Sequence, residues 1–245
     1  MSDNLLPILN IHPDSLPPDV LVCGDPFRAE LIANMFDEAT QLAWNREYRL
    51  YTGTVGGVPL AVCSHGVGAA GAAVCFEMLI KAGAKRLIRI GTAGSLNLDI
   101  TDGSLVIATA AAREEGMTSQ LVPISFPAVA DMDITYALKG AAAERTDVNT
   151  YTGIVLTLSA FFPGLIDLPN ALMSKANVIA VEMECSALFV VASLRGVQAG
   201  AILAIDGIAV AFDAEAYNPH RDLVAKAIEA EARIAIRAVE KLNGK

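Results

Sequence analysis

The sequence predicts an α/β protein with a single domain over residues 1–245, in which helices flank a central, mostly parallel mixed β-sheet. Apolar stretches of strand length alternate with stretches of helical length along the chain, a pattern typical of parallel strands joined by crossover helices. A length of 245 residues suits one large core. Hydrophobic residues make up 53% of the chain and charged residues 18%, so we expect some apolar surface to be buried between subunits.

Local signals predict the elements in order. The predicted strands cover residues 20–23, 51–55, 58–64, 86–90, 104–111, 153–158, 178–181 and 199–205. The predicted helices cover residues 26–36, 69–82, 134–144, 184–195 and 221–242. Asp25 suits the N-cap and Pro26 the first position of the first helix, while Gly56-Gly57 suits the tight turn of a hairpin.

Two segments are predicted to interrupt this pattern. Residues 91–95, with two glycines, should end the strand at 86–90 sharply. The polar, proline-containing stretch at 112–130 should be a loop or a lid, because loops of this length inside compact domains are commonly functional.

Charge and hydropathy exclude two kinds of partner. The formal net charge of −9 argues against nonspecific nucleic-acid binding, because phosphate contacts need surplus Lys and Arg. The longest apolar runs fall far short of the roughly 20 residues needed to cross a bilayer, so no membrane span is predicted. The first residues carry no positive region ahead of an apolar stretch, so we expect no secretory signal and a cytoplasmic protein.

The four cysteines are predicted to be reduced core residues. Cys23, Cys63, Cys75 and Cys185 lie far apart in apolar segments and form no C-x-x-C pair. They make no metal-like grouping with the three histidines, and no Ser-His-Asp spacing or zinc motif stands out.

The segment 66–71 reads Gly-Val-Gly-Ala-Ala-Gly and formally matches a dinucleotide-binding turn between a strand and a helix. The next strand of such a fold should end in Asp or Glu to hold a ribose hydroxyl. Here it carries Arg86 and Arg89 instead, which favours a simple tight turn over nicotinamide binding.

Two arginine-containing segments suggest an anion site. The segment 24–28 places a glycine at a strand end, helix amides just beyond it and Arg28 in the first helical turn. Arg89 lies inside an apolar strand, where its burial is costly unless it meets an anion or a carboxylate, and Thr92 adds a donor close by. The alternatives are an ordinary turn with Arg28 in solvent, and a structural ion pair for Arg89.

Three acidic residues are candidates for binding sugar hydroxyls or for donating a proton. Glu182 and Glu184 flank Met183 at the start of a predicted helix, where the helix dipole is a sufficient structural reason for either acid. Their alternative role is to accept hydrogen bonds from sugar hydroxyls. Asp206 follows an apolar strand, where burial could raise the pKa of its carboxyl and make it a proton donor, although Asp-Gly is also a common turn.

Further candidates for ligand contacts are His65 and three phenylalanines, Phe161, Phe162 and Phe212. Taken one at a time, a histidine after a strand and aromatics near prolines are more often packing residues than ligand contacts.

Together these segments resemble the hexameric nucleoside phosphorylase family, which contains bacterial-type purine nucleoside phosphorylases and uridine phosphorylases. The resemblance runs from about Leu5 to the final helix. Its motifs are GDPFR at 24–28, NREY at 45–48, SHGVG at 64–68, RIGTAGSL at 89–96, VEME at 181–184 and DG at 206–207.

The resemblance implies a role for each matching residue. The implied phosphate ligands are Gly24, Arg28, Arg89 and Thr92, with Arg46 supplied by a neighbouring subunit. The implied ribose ligands are Met183 and Glu184. The implied base contacts are Val67, Val74, Phe161, Glu182, Asp206 and Phe212. Asp206 and Arg89 would carry the catalysis, and no cofactor would be needed beyond inorganic phosphate as co-substrate. The assembly would be a homohexamer built as a trimer of dimers.

Within this family, the chain is expected to act on purine nucleosides such as inosine and guanosine. The uridine branch reads its base with a Gln and Arg pair, which the segment 159–164 lacks, and Asp206 matches the acid of the purine branch. Ile8 stands where family members carry a histidine for the sugar 5′-hydroxyl, so a 5′-methylthio group is expected to be tolerated. The alternatives are a uridine phosphorylase, a hydrolytic nucleosidase and a non-catalytic nucleoside-binding protein.

Overall fold

The computed structural model describes residues 4–210 and 217–245, and within these ranges the chain forms ten strands and six α-helices. The strands are β1 (Asp19–Cys23), β2 (Glu38–Asn45), β3 (Tyr48–Val55), β4 (Val58–Ser64), β5 (Arg86–Ser95), β6 (Leu105–Glu114), β7 (Ala128–Val129), β8 (Thr150–Leu158), β9 (Ala180–Glu182) and β10 (Gln198–Ile208). The helices are α1 (Pro26–Ala33), α2 (Ala69–Lys81), α3 (Met132–Ala142), α4 (Asn170–Lys175), α5 (Cys185–Arg195) and α6 (Asp222–Leu242).

The predicted fold class is confirmed, and the sheet has parallel strands at its centre. Strands β4, β1, β5 and β10 run parallel to one another, and β3 and β2 extend this sheet in antiparallel fashion beyond β4. On the other side, β10 pairs with β6, β6 with β8, β8 with β9, and β9 returns to β5. These five strands therefore close into a ring, which the sequence pattern did not predict.

Helices cover both faces of the sheet, because the central strands are apolar on both sides. In β1, Val20 and Val22 pack into the core on the side of α2 and α5, whereas Leu21 and Cys23 pack into the core beneath α1, α3 and α6. Such two-sided burial is typical of parallel strands flanked by helices. Within the described residues, no helix is long and apolar enough to cross a membrane.

Several local predictions are confirmed by the hydrogen bonds and backbone angles. The Asp25 carboxylate accepts a hydrogen bond from the Phe27 amide at 2.8 Å and caps α1, with Pro26 in the first turn. Gly56 and Gly57 adopt positive φ values of 54° and 78° in the β3–β4 hairpin turn. All four cysteines are buried and free.

The predicted break at residues 91–95 is wrong, because β5 continues through these residues to Ser95. A Cβ atom on Gly91 would lie 2.7 Å from the Arg89 guanidinium, so this glycine makes room for a folded-back side chain within the strand. Gly94 similarly admits Ala209, whose Cβ would lie 2.6 Å from an added side chain. The glycines here serve close packing and leave the strand continuous.

Asp206 lies within a strand, whereas the sequence placed it just after one. Strand β10 extends to Ile208, and its pairing with β5 shifts register between Ile205 and Gly207. A register shift of this kind re-aims a side chain next to a site. Asp206 therefore belongs to the rigid sheet, while its orientation follows from the irregularity.

The predicted loop at 112–130 includes the end of β6, a 3-10 turn at Thr118–Gln120 and the short strand β7. The Arg113 guanidinium donates hydrogen bonds to several loop carbonyls, including those of Pro123 and Phe126. This loop is therefore tied down by a side chain that reaches across it. The sequence pattern missed β2, which is mostly exposed and does not alternate polar and apolar residues, and α4, which is only six residues long.

Candidate active site

A cavity of about 640 Å³ opens where several central strands end, next to Gly24 after β1, the second half of β5, Glu182 in β9 and Asp206 in β10. Ligands in open α/β sheets gather at such carboxyl ends. The residues that were predicted from sequence and that line this cavity are Gly24, Arg28, Val67, Arg89, Thr92, Phe161, Glu182, Met183, Glu184 and Asp206. The fold thus brings together residues that lie up to 182 positions apart in the chain.

Of the predicted residues that the structure describes, Val74 and Arg46 do not line this cavity. Val74 is 39% exposed on α2, nearly two helical turns beyond the Gly68 that begins the helix, so it is not in the cavity wall of its own chain. Arg46 is exposed in the β2–β3 turn, where it adopts a φ of 56°. Phe212 lies outside the described residues.

Arg89 forms ion pairs with two carboxylates of the site. It is 3% exposed, its Nε donates to Glu182 Oε2 at 3.2 Å, and its Nη2 lies 2.5 Å from Glu184 Oε2. Although burial disfavours the charged form, the carboxylates of Glu184 and Glu182 hold the pKa of Arg89 above its ordinary value. The ion pair foreseen as an alternative for Arg89 therefore exists, and it forms part of the cavity wall.

His65 supports the Arg89 guanidinium from behind. The His65 Nδ1 lies 2.8 Å from the Gly66 carbonyl and must donate to it, which leaves the unprotonated Nε2 to accept from Arg89 Nη1 at 3.2 Å. Burial, reinforced by the positive charge of Arg89, lowers the pKa of His65 well below its usual value, so the ring is neutral. Sequence reasoning weighed His65 as a packing residue, and its edge contact with the Phe76 ring at 5.4 Å shows that it also packs.

The two glutamates of the VEME segment have different surroundings. Glu182 accepts from the Thr157 hydroxyl at 2.6 Å and from the amides of Glu184 and Cys185, so it anchors the first turn of α5. Glu184 accepts from the Gly68 amide at 2.5 Å. Burial raises the pKa of Glu184, and the nearby Arg89 partly offsets that rise. Glu182 therefore fulfils the structural role expected of a helix-start acid, while Glu184 bridges Arg89 and the turn before α2.

The cationic part of the cavity combines Arg28, Arg89 and the N-terminus of α1. Arg28 is half-buried and lines the cavity, which contradicts the alternative that it points into bulk solvent. The ends of β1 and β4 lie close together here, because the Gly66 amide donates to the Gly24 carbonyl at 3.0 Å. A Cβ atom on Gly24 would approach the Gly66 carbonyl to 3.3 Å, which explains the need for a small residue. Two guanidinium groups beside a helix N-terminus are able to bind an anion.

Asp206 is a buried carboxyl that faces the same cavity. It is 5% exposed, and its Oδ2 accepts from the Tyr217 hydroxyl at 2.7 Å. The guanidinium of Arg221 donates to the Asp206 main-chain carbonyl at 2.9 Å. Burial raises the pKa of the Asp206 carboxyl, while hydrogen bonds from Tyr217 and Thr92 partly counteract the rise. Asp206 therefore keeps its proton to a higher pH than an ordinary aspartate.

The residues of the site that were not predicted from the sequence include Tyr217, Arg221 and Glu47. Tyr217 and Glu47 line the cavity, and Arg221 contacts Asp206. Glu47 lies inside the NREY motif, so that motif was a usable signal. Tyr217 and Arg221 follow a stretch without regular spacing, and only the fold brings them to Asp206.

The arrangement suits a ligand with three chemically distinct parts. The two arginines can bind an oxyanion, and Glu184 can accept hydrogen bonds from hydroxyl groups. Phe161 and Val67 add apolar surface, and Asp206 adds a proton donor. A pentose nucleoside together with an oxyanion has this combination of groups.

Comparison with known proteins identifies the family of the chain. The family model of the phosphorylase superfamily matches residues 18–240. A purine nucleoside phosphorylase of Plasmodium falciparum is 39% identical over 246 residues, covering 99% of both chains. A uridine phosphorylase of Treponema pallidum is 40% identical over 198 residues, covering 77% of this chain and 76% of the relative.

A solved structure adds the same relationship at the level of the fold. The crystal structure of purine nucleoside phosphorylase from Toxoplasma gondii, in complex with immucillin-H, superposes with a TM-score of 0.93 at 31% sequence identity. The match covers 99% of this chain and 98% of the other. The predicted family is confirmed: the chain belongs to the phosphorylase superfamily and is a nucleoside phosphorylase.

Proposed function

We propose that the protein cleaves purine nucleosides such as inosine and guanosine with inorganic phosphate, yielding the free base and ribose 1-phosphate. The observation that carries the purine assignment is Asp206, a buried carboxyl with a raised pKa in the cavity that also contains Arg28 and Arg89. A carboxyl that keeps its proton can act as a general acid toward the departing base.

The phosphate binds, in this proposal, to Arg28, Arg89, Thr92 and the amides near Gly24. Arg46 of a neighbouring subunit completes the set. Glu184 accepts hydrogen bonds from the ribose hydroxyls, and Met183 packs on the sugar face. Phe161, Val67 and Glu182 surround the base together with Asp206. Holding phosphate and sugar side by side reduces the entropic cost of their reaction.

The reaction balances without any further reactant. A phosphate oxygen forms a bond to the anomeric carbon C1′ as the C1′–N9 bond breaks, and the electron pair of that bond moves into the purine. The Asp206 proton passes to N7 of the leaving base, so the base departs neutral. Asp206 then regains a proton from solvent before the next turnover. In this proposal the arginines stabilise the phosphate throughout, and Glu184 accepts hydrogen bonds from the sugar hydroxyls and so stabilises the positive charge that develops on the ring.

The relatives include both purine and uridine phosphorylases, so the preference for purines is inferred from the residues of the cavity. The segment 159–164 contains neither Gln nor Arg, so it offers no pair of amide and guanidinium groups for reading uracil. Asp206 provides an acid for N7, an atom that uracil lacks. These two features favour purines over uridine.

The assembly is part of the same proposal. Asn45 donates a hydrogen bond to the Ile8 carbonyl at 2.7 Å and so holds Ile8 next to the turn that carries Arg46. Leu42 and Trp44 on the adjoining strand are 41% and 51% exposed, as expected for a surface that packs on another subunit. We propose that this edge delivers Arg46 and Ile8 together to a partner's cavity within a homohexamer. The four free cysteines suit a reducing, cytoplasmic location.

The test is to incubate the protein with inosine or uridine, with and without phosphate. We expect phosphate-dependent release of hypoxanthine from inosine and much slower release of uracil from uridine. Equal cleavage without phosphate would show a hydrolase, and faster cleavage of uridine would show a uridine phosphorylase. Binding of inosine without any cleavage would leave only a nucleoside-binding protein.

A further inference from the structure

Tyr217 has a defined position beside the proposed general acid. Its hydroxyl donates to Asp206 Oδ2 at 2.7 Å, and its ring lines the cavity. The ring centroid lies 5.7 Å from that of Phe161, in an edge contact. Tyr217 therefore places a hydroxyl and an aromatic surface where the base is expected to bind.

The backbone beneath Tyr217 is shaped to receive its ring. A Cβ atom on Gly207 would lie 3.3 Å from the Tyr217 ring, so the ring packs directly on the main chain that follows Asp206. The Arg221 side chain holds the same piece of main chain through the Asp206 carbonyl. Tyr217 and Asp206 are thus fixed relative to each other by a hydrogen bond and by packing.

The Tyr217 hydroxyl lies 2.7 Å from Asp206 Oδ2, a separation that suits two adjacent acceptors on one edge of a purine. In a 6-oxopurine, N7 and O6 are adjacent acceptors on a single edge of the ring system. Asp206 in its protonated form and the Tyr217 hydroxyl present two neighbouring donors. Rotation of the hydroxyl about its C–O bond is enough to turn it from the carboxyl toward a bound base.

The Tyr217 hydroxyl also remains a donor. Burial raises its pKa above the ordinary value, and the nearby Asp206 carboxyl adds to this rise. The phenol therefore keeps its proton, and with it the ability to donate, to a higher pH than an ordinary tyrosine.

We propose that Tyr217 determines specificity by donating a hydrogen bond to the 6-oxo group of the purine while Asp206 protonates N7. This inference rests on the proposed purine phosphorolysis and adds a preference for 6-oxopurines within it. A site that is built to bond a polar group discriminates against analogues that lack that group, because its own donor is then left unpaired.

The experiment combines removal of the hydroxyl with removal of its partner. The affinities of hypoxanthine and of unsubstituted purine, which has no 6-oxo group, are measured by calorimetry for the wild type and for Tyr217→Phe. We expect the variant to lose about 10-fold in affinity for hypoxanthine and a similar factor in kcat/KM for inosine. Its affinity for unsubstituted purine should change by less than about twofold.

Two results would overturn the inference. Equal losses for both bases would mean that Tyr217 acts only through Asp206 or the shape of the cavity, and no loss for either base would remove it from recognition. Tyr136→Phe, which deletes an exposed hydroxyl on α3, is the matched control and should leave both affinities unchanged. If the wild type instead fails to cleave inosine with phosphate, the proposed function itself is refuted, which is a different outcome.

Discussion

Arg89 and Glu231 are both buried ionisable residues, yet their surroundings are opposite. Arg89 contacts Glu182, Glu184 and His65 and lines the cavity. Glu231, on the inner face of α6, is 0% exposed, and neither carboxyl oxygen has a hydrogen-bond partner among the described residues. Burial alone therefore does not identify a functional ionisable residue. Arg89 differs from Glu231 in having several partners and in lining a cavity.

Burial without a hydrogen-bond partner among the described residues favours the protonated form of Glu231. Burial raises the pKa of its carboxyl well above the usual value, and the charges of Arg28 and Arg89 counteract this only in part. An uncharged carboxyl that is buried without partners costs stability and contributes no charge to the site. Arg89, by contrast, keeps its charge because two carboxylates offset its desolvation.

The largest effect should come from removing the paired charge. Arg89→Ala deletes a preorganised donor to phosphate, and we expect a loss of about 2 to 4 kcal/mol in transition-state stabilisation, measured as kcat/KM for inosine with phosphate. The variant also leaves Glu182 and Glu184 without their cation, so its thermal unfolding must be recorded alongside. Arg89→Lys retains the charge but loses the planar fork, and it should fall between the wild type and Arg89→Ala.

Arg89→Ala also tests whether each active site is shared between two subunits. Arg46→Ala should also be nearly inactive if Arg46 enters a partner's cavity. In a mixed dimer of Arg46→Ala and Arg89→Ala, one of the two sites regains both arginines, so mixing the two inactive proteins under subunit exchange should restore activity. A mixture that stays inactive despite exchange would refute the shared site, and a folded Arg89→Ala with wild-type kinetics would refute the role of Arg89.

Asp206 comes next, as a buried carboxyl that resembles Glu231 in burial and Arg89 in having partners. Asp206→Asn keeps the shape but cannot protonate N7, so we expect kcat on inosine to fall about 10²-fold while nucleoside still binds. Because the pKa of Asp206 is raised, the wild type should lose kcat/KM as pH rises through that pKa, and the variant should lack this descent. Turnover by Asp206→Asn at the wild-type rate would exclude Asp206 as the general acid.

The smallest effect should come from Glu231, and it should appear in stability. Glu231→Leu removes a buried carboxyl without partners, so we expect the free energy of unfolding at pH 7 to rise by about 1 to 3 kcal/mol with kcat/KM unchanged. The folded protein keeps the Glu231 proton above the pH where the unfolded chain releases it, so this residue lowers stability as pH rises past about 4.3. The gain from Glu231→Leu should therefore be larger at pH 8 than at pH 5 in denaturant unfolding.

A neighbour on the same helix provides the control. Glu229 is exposed and pairs with Arg233 at 2.9 Å, so Glu229→Leu should change stability by less than about 1 kcal/mol. If Glu231→Leu destabilises the protein instead, Glu231 has a favourable partner in the assembled enzyme and the contrast with Arg89 fails.

The elements that depend on local chemistry were predictable. The cap at Asp25-Pro26, the hairpin at Gly56-Gly57 and the apolar strands follow from neighbouring residues, and all appear in the structure. The continuation of β5 through Gly91 was not predictable, because it depends on the pairing of β5 with β10 and on the space that Arg89 needs.

The residues of the candidate site were likewise predictable only in part. Motifs such as GDPFR and VEME identified most of the cavity-lining residues, because each motif sits at the end of a strand that the fold directs to one edge. Tyr217 lies in no motif. His65 lies in the SHGVG motif, but its support of Arg89 depends on a contact that only the fold creates. Glu231 did carry a signal in the sequence: it lies seven residues after Val224, on the apolar stripe of α6, where an acid is out of pattern.

The α/β class, the family and many residue types of the cavity wall could be predicted from the chain alone, because periodicity, capping and motifs can be seen without knowing any long-range contact. The closure of the sheet, the carboxyls whose pKa values are raised and the pairing of charges could be seen only in the folded protein. Those outcomes depend on burial and on distances between residues far apart in the chain, and both arise only when strands and helices pack together.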